Sequence, residues 1–176
     1  MPKLLLIPLD DTVVFPTMDL PLAVDASGET EVLLVPRHEG EYAKVGTIAK
    51  VTDTIRMPGG GRGTAVESIS RGIIGAAESD SDGRLRAEVT AHPDAVPVDK
   101  RTRELEREYR AIVEEILVER GADERVAAFL RSVVEPGPLA DTAGYSPDLT
   151  FEQKVRILET LAVSYTHLTL PTKRIV

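Results

Sequence analysis

Ile7-Pro8-Leu9-Asp10-Asp11-Thr12-Val13-Val14-Phe15-Pro16-Thr17-Met18-Asp19-Leu20-Pro21-Leu22 is the stretch on which the fold of the first half of the chain turns. Leu4–Leu9 and Val13–Phe15 are short β-prone runs. Pro8, Pro16 and Pro21 mark edges and bends, because proline has no N–H to give a ladder. Phe15, Met18 and Leu22 then fill the core between short strands. The opening apolar run is also too short for a signal peptide, is broken by Pro8, and meets Asp10 and Asp11 with no small-residue cleavage site. A first strand is the reading.

Working outward, β-character continues to about Val98. Val32–Val35 is a continuous apolar run ending at Pro36, as for a buried strand. From Val45 to Ile55 the residues Val45, Thr47, Ala49, Val51, Asp53 and Ile55 alternate with Gly46, Ile48, Lys50, Thr52 and Thr54, which predicts a long, partly two-sided strand. Met57-Pro58-Gly59-Gly60-Gly61-Arg62-Gly63 reads as a loop. Thr64–Ile69 and Ile73–Ala77 are weaker strands, Ser79–Gly83 is a turn, and Leu85, Ala87 and Val89 form a half-buried strand. Many short strands at this spacing predict a small barrel or sandwich.

The period then changes. Leu105, Tyr109, Ile112, Val113, Ile116 and Leu117 fall at helical spacing, with Glu104, Glu106, Glu108, Glu114 and Glu115 read as a solvated face with intrahelical Arg partners. Gly121 ends this helix. A second helix over about Asp123–Val134 carries the stripe Val126, Ala127, Leu130 and Val134, and Leu139–Ala143 is a candidate short helix. Thr150-Phe151-Glu152-Gln153 has the capping-box form and opens a helix with the stripe Phe151, Val155, Leu158 and Leu161. The expected class is α+β: a β-rich lobe over 1–98, a helical lobe over 99–163, and an atypical tail over 164–176. That tail is either a native terminal strand or vector or adapter sequence joined to an interrupted frame, the second being preferred.

Composition narrows the function. A net charge of -8 repels phosphate backbones, and with only 4% aromatics to stack on bases, no nucleic-acid partner is expected. The absence of cysteine removes disulfides, thiolate metal sites and a Cys nucleophile. His38, His92 and His167 are far apart and no helix pairs two of them, so neither metal nor other cofactor is expected. The Gly59–Gly63 run lacks the Lys and Ser/Thr of a phosphate-binding loop and opens no helix. No Gly-x-Ser-x-Gly occurs, and nothing marks a base or oxyanion hole beside Ser68, Ser70 or Ser79. The chain reads as a non-enzyme. No apolar run approaches the roughly 20 residues that span a bilayer, so no membrane partner and a cytoplasmic location are expected.

The Ile7–Leu22 stretch closely resembles the opening of Lon ATP-dependent proteases: a Leu-Pro-Leu strand, an acidic-flanked Val-Val-Phe-Pro, then Met-x-x-Pro-Leu. Tyr42–Val51, Gly137–Asp141 and Phe151–Leu161 resemble further family segments in the same order, so the likeness covers about Leu4 to Ala162. The resemblance implies a PUA-like pseudo-barrel followed by a small helical lobe. It implies a domain that binds unfolded, damaged or tagged proteins and helps organise the parent hexamer. The family's ATPase and Ser–Lys protease domains have no counterpart in these residues. Between Leu22 and Val32 the family usually places a helix of several turns, and the few residues available here put that helix and one wall of the lobe in doubt. On this reading Phe15, Met18, Leu20 and Met57 are candidate substrate contacts with Arg56 and Arg62 at the rim, although each also reads as core or loop. The alternatives are a stand-alone PUA-like RNA-binding module or a purely structural interaction module.

Overall fold

A computed structural model of the chain describes residues 2–16, 18–26, 28–93, 100–133, 141 and 149–159. Lys3–Asp10 (β1) and Glu31–His38 (β3) run side by side in the same direction, from Leu5 against Val32 to Asp10 against Arg37. A parallel pair needs a long crossover, and residues 11–30 supply it, including the short strand Asp19–Leu22 (β2). The other strands are antiparallel: Glu41–Tyr42 (β4), Val45–Arg56 (β5), Arg62–Ser79 (β6) and Leu85–His92 (β7). Their order β1-β7-β6-β5-β3 closes on itself through β1–β3 into a five-stranded ring, with β2 beside β6 and β4 beside β3.

Burial on both sides explains the continuous apolar runs. Leu6, Leu33, Val35, Ile48, Ala87 and Val89 form one cluster, which with partly buried Ile74 draws on every strand of the ring and fills its interior. Leu5, Ile7, Val32, Leu34 and Ala49 point the other way and are covered from the crossover by Val14, Leu22 and Ala26. Strands buried on two faces need consecutive apolar residues rather than alternation. Gly46 and Gly72 lie opposite each other on β5 and β6. A Cβ on Gly46 would come 2.6 Å from the Leu34 carbonyl oxygen, and one on Gly72 2.5 Å from Val89 Cγ2. The interior is filled to the backbone at this pair.

Three sequence expectations change. The run expected to stop at Pro36 continues to His38, because β5 pairs with β3 only to Leu34 and no N–H is needed from Pro36 on that side. Thr64–Ile69 and Ile73–Ala77 are one 18-residue strand. Ser68 faces Ala49 and Ser70 faces Ile48, so Ile69 is an extra residue; this bulge turns the strand over and scrambles its alternation. Val13–Phe15 is not a strand. These residues are buried outside the sheet, with the Thr47 hydroxyl donating to the Val14 carbonyl at 2.6 Å.

No helix follows Leu22 among the described residues of 23–30. Fully buried Ala26 stands there instead. The buried Thr64 hydroxyl accepts from the Ala26 N–H at 3.0 Å and donates to the Val24 carbonyl at 2.7 Å. Glu29 at the end of the crossover pairs with Arg86 of β7 at 2.5 Å, and Arg86 Nε donates to Asp80 in the β6–β7 turn at 3.0 Å. Side chains thus pin the crossover where a helix would have packed.

The chain divides into two compact units between Pro93 and Asp94, and the boundary expected near residue 98 lies outside the described residues. The second unit contains Lys100–Glu119 (α1), Glu124–Ser132 (α2) and Phe151–Glu159 (α3). Gly121, with φ of 63°, takes the left-handed turn that ends α1, and Asp123 caps α2. Thr150 and Gln153 exchange the two hydrogen bonds of the expected capping box. Leu105 and Tyr109 are buried in α1, Ile157 and Leu158 in α3. Arg110 joins two helices: it pairs with Glu106 at 3.0 Å and donates to the carbonyls of Leu130 and Val133 at the carboxyl end of α2. Glu114 likewise pairs with Arg131 of α2, so part of the expected solvated face links helices. The expected Leu139–Ala143 helix falls outside the described residues apart from Asp141, which is helical and buried, and so does the tail after Val163.

Two outcomes are expected. Gly72→Ala drives a methyl into Val89 and should cost about 1–3 kcal/mol by overpacking, read as a lower urea midpoint. The Arg86 guanidinium holds the Glu29 carboxyl below its usual range, and the Arg84 backbone N–H does most to lower Asp80. Groups lowered in the folded state stabilise it above their ordinary pKa and lose that contribution as pH falls through the folded value. Denaturation midpoints should therefore fall from pH 7 to pH 3, and Arg86→Met should flatten that dependence.

Candidate functional site

The amino-terminal part of β6 carries β2 on one side and the end of β5 on the other, forming a three-stranded ribbon. The register sets its rows: Asp19–Glu67–Lys50, Leu20–Val66–Val51, Pro21–Ala65–Asp53, Leu22–Thr64–Thr54, then Gly63–Ile55 and Arg62–Arg56. Alternate rows share a face. The face carrying Val66 and Leu22 belongs to the core under the crossover, against which Leu20 and Val51 are partly buried. Along that face Arg62 and Arg56 come next, beyond the core and exposed. Ile55 lies on the opposite face, where the Met57 side chain sits over Gly63, so close that a Cβ there would meet its sulfur at 2.6 Å.

The hairpin tip has a local cause. Gly59 and Gly60 have φ of 100° and 95°, conformations that side chains disfavour, and the Met57 N–H donates to the Gly61 carbonyl at 2.8 Å. The loop is therefore tighter than the expected 57–63: Arg62 and Gly63 belong to β6. This tight turn sets Arg56 and Arg62 opposite each other. Like charges in direct register repel, and neither arginine has an ion pair or hydrogen bond among the described residues. Asp19 and Glu67 repeat the arrangement with opposite sign at the other end of the β2–β6 pairing.

Five of the six residues singled out from sequence lie on or beside this ribbon. Leu20, Arg56 and Arg62 share its inner face, Met57 is on the outer face at the tip, and Met18 precedes β2 with its carbonyl accepting from Ser68 N–H at 3.2 Å. Phe15 is different. It is 0% exposed, with the buried Arg71 guanidinium 6.0 Å from its ring centre, so as placed it offers no surface to a substrate. The sequence also missed some exposed apolar surface. Ile69 is 49% exposed because the bulge throws it outward. On α2, Val126 of the expected stripe is 42% exposed, Phe129 outside it is 49% exposed, and Ala127 and Leu130 are only partly buried. His38 pairs with Asp11, and no group of three His, Asp or Glu among the described residues is arranged to hold a metal.

The ATP-dependent protease La (LON) substrate-binding domain model matches residues 3–165. A Lon protease of Salinispora arenicola is 34% identical over 90% of this chain and 22% of its own length. A Lon protease of Mycolicibacterium smegmatis is 32% identical over 88% of this chain and 21% of its length. The chain thus spans about a fifth of these curated relatives. The solved N-terminal domain of a Mycobacterium avium complex Lon protease superposes with a TM-score of 0.82 at 31% identity, over 98% of this chain and 97% of that one. A Lon N-terminal domain protein from Xanthomonas campestris shares the fold, with a TM-score of 0.69 at 16% identity over 96% and 95% of the two chains.

Support and surface separate in mutants. Phe15→Ala should cost about 3–5 kcal/mol of stability. Arg56→Ala, which removes only an exposed side chain, should stay within about 0.5 kcal/mol. Equal losses in chemical denaturation would show that Phe15 is not the core residue described.

Proposed function

The chain belongs to the ATP-dependent protease La (LON) substrate-binding domain family, and from that premise we propose that it recognises unfolded or tagged proteins for a Lon-type ATP-dependent serine protease. The match across residues 3–165 carries the reading. The matched span is a binding domain, so the proposed activity of this part is recognition, with ATP hydrolysis and peptide cleavage assigned to other domains of the parent. The β2–β6–β5 ribbon is the proposed contact surface. Met18, Leu20 and Met57 offer partly exposed apolar surface, and Arg56 and Arg62 rim it. Phe15 serves as support beneath the crossover. Self-association within the parent hexamer is part of the same proposal and rests on the family membership.

Recognition of unfolded chains has a physical logic on such a surface. An unfolded protein differs from its folded form by exposing apolar side chains and unpaired backbone, and half-exposed apolar residues beside free strand edges meet both. The chain should bind fluorescently labelled, reduced and carboxymethylated α-lactalbumin and ignore the native form. Leu20→Ser with Met57→Ser should weaken that binding about fivefold in fluorescence anisotropy, as expected for losing part of two apolar contacts. Equal binding of native and unfolded lactalbumin would refute the proposal.

A further inference from the structure

Beyond Lys50 the pairing of β5 with β3 ends, with the Val51 N–H donating to the Thr30 carbonyl at 2.9 Å. Among the described residues nothing pairs with the outer edge of 52–56, and Thr52, Asp53, Thr54 and Arg56 are all exposed. The Met57 N–H points inward to Gly61, so the alternation of an antiparallel ladder turns the backbone groups of Arg56 and Thr54 outward. The Thr54 N–H takes the neighbouring Asp53 carboxylate at 2.8 Å instead of a strand partner. This edge is about 17 Å long at the usual rise per residue.

Two further observations define what fits it. Arg56 and Arg62 stand opposite each other with no ion pair among the described residues, on a protein whose net charge is -8. A carboxylate on the same face beside Arg56 offsets the positive charge that the two share. On the other face of the same edge the neighbouring row offers half-buried Ile55, next to half-buried Met57. A strand added along β5 presents its side chains to the two faces alternately. We infer that the outer edge of β5 binds an extended segment of a protein substrate by strand addition, with an acidic residue set against Arg56 and Arg62 and the adjacent apolar residue against Ile55 and Met57.

The inference rests on the substrate-recognition reading and narrows it to a substrate class. Backbone pairing supplies sequence-tolerant affinity, and the arginine pair supplies the preference for acid beside apolar. The free edge also explains why the ribbon is polar elsewhere. The charge of Asp53 and the bulge beside it disfavour pairing with a second copy, the usual hazard of an open strand.

Three labelled ten-residue peptides test it on the full chain by fluorescence anisotropy: one alternating Asp with Val, one alternating Lys with Val, and the first N-methylated throughout. The Asp–Val peptide should bind about fivefold tighter than the Lys–Val peptide, with the gap narrowing in high salt. Arg56→Glu with Arg62→Glu should invert that preference, and the N-methylated peptide, unable to donate to an edge, should not bind. Both arginines are exposed and make no side-chain bond among the described residues, so the variant should keep the wild-type circular dichroism spectrum. An unchanged preference in the variant, or equal binding of the N-methylated peptide, overturns the inference. If either occurs while unfolded lactalbumin still binds, substrate recognition stands and only the edge assignment fails. If the wild-type chain binds neither lactalbumin nor any peptide, both readings fail.

Discussion

The parallel pairing of β1 with β3 is the contact on which the rest of the β unit depends. It closes a five-stranded ring and leaves no edge between the first strand and the third. It also forces residues 11–30 to cross from one end of β1 to the opposite end of β3, over the outside of the ring. A crossover lying on a barrel wall must bury something, and here it buries Val14, Phe15, Leu22 and Ala26. The second core is a consequence of the closure. Parallel pairs usually take a helix as their connection, but among its described residues this crossover has only the short strand β2 and turns, held by Thr47, Thr64 and Glu29. Each of those side chains satisfies a backbone group or an ion pair that a helix would otherwise have provided for.

One inserted residue in β6 then divides the β unit by role. On one side of Ile69 the strand sends Ser70, Gly72 and Ile74 toward the ring interior, and on the other it sends Ser68, Val66 and Thr64 under the crossover. Without that bulge Val66 and Thr64 would face the opposite way and the crossover would lose its floor. The same strand therefore seals the barrel and, past the bulge, leaves it as the centre of the ribbon. The proposed binding surface is where β5 and β6 outrun the closed ring. Closed sheets have no free edges, and an extension beyond the ring restores them at the ribbon.

Charge follows the same division. Ion pairs of the β unit have a structural logic: Arg86 ties the crossover and a turn to the ring through Glu29 and Asp80, and Arg37 ties β3 to β1 through Asp10. The arginines at the ribbon tip are different: they are brought together by register and have no ion pair among the described residues. Like charges directly opposite on paired strands disfavour the pairing. Two such arginines on a net acidic chain are easier to understand as a site for a carboxylate than as a device for holding the hairpin.

Much of this was legible in the residues. The α+β order, the long strand from Val45, a turn within Ser79–Gly83, the start of a helix near Asp123, the cap at Thr150, and the stop at Gly121 all follow from local rules that tertiary contacts did not override. So did the Lon family membership, which the ordered motifs from Ile7 onward indicate and which the match over residues 3–165 shows. The facing of β6, the burial of Phe15, the exposure of Val126 and Phe129 and the opposition of Arg56 to Arg62 were not legible. A bulge reverses alternation without leaving a composition signal. A β-prone run such as Val13–Phe15 looks the same whether it pairs in a sheet or plugs one. A helical stripe shows that a helix has an apolar side, not whether anything covers it. Local propensity and spacing depend on neighbours in sequence and were settled there. Register, closure and burial depend on residues tens of positions apart, and only the folded chain brings those together.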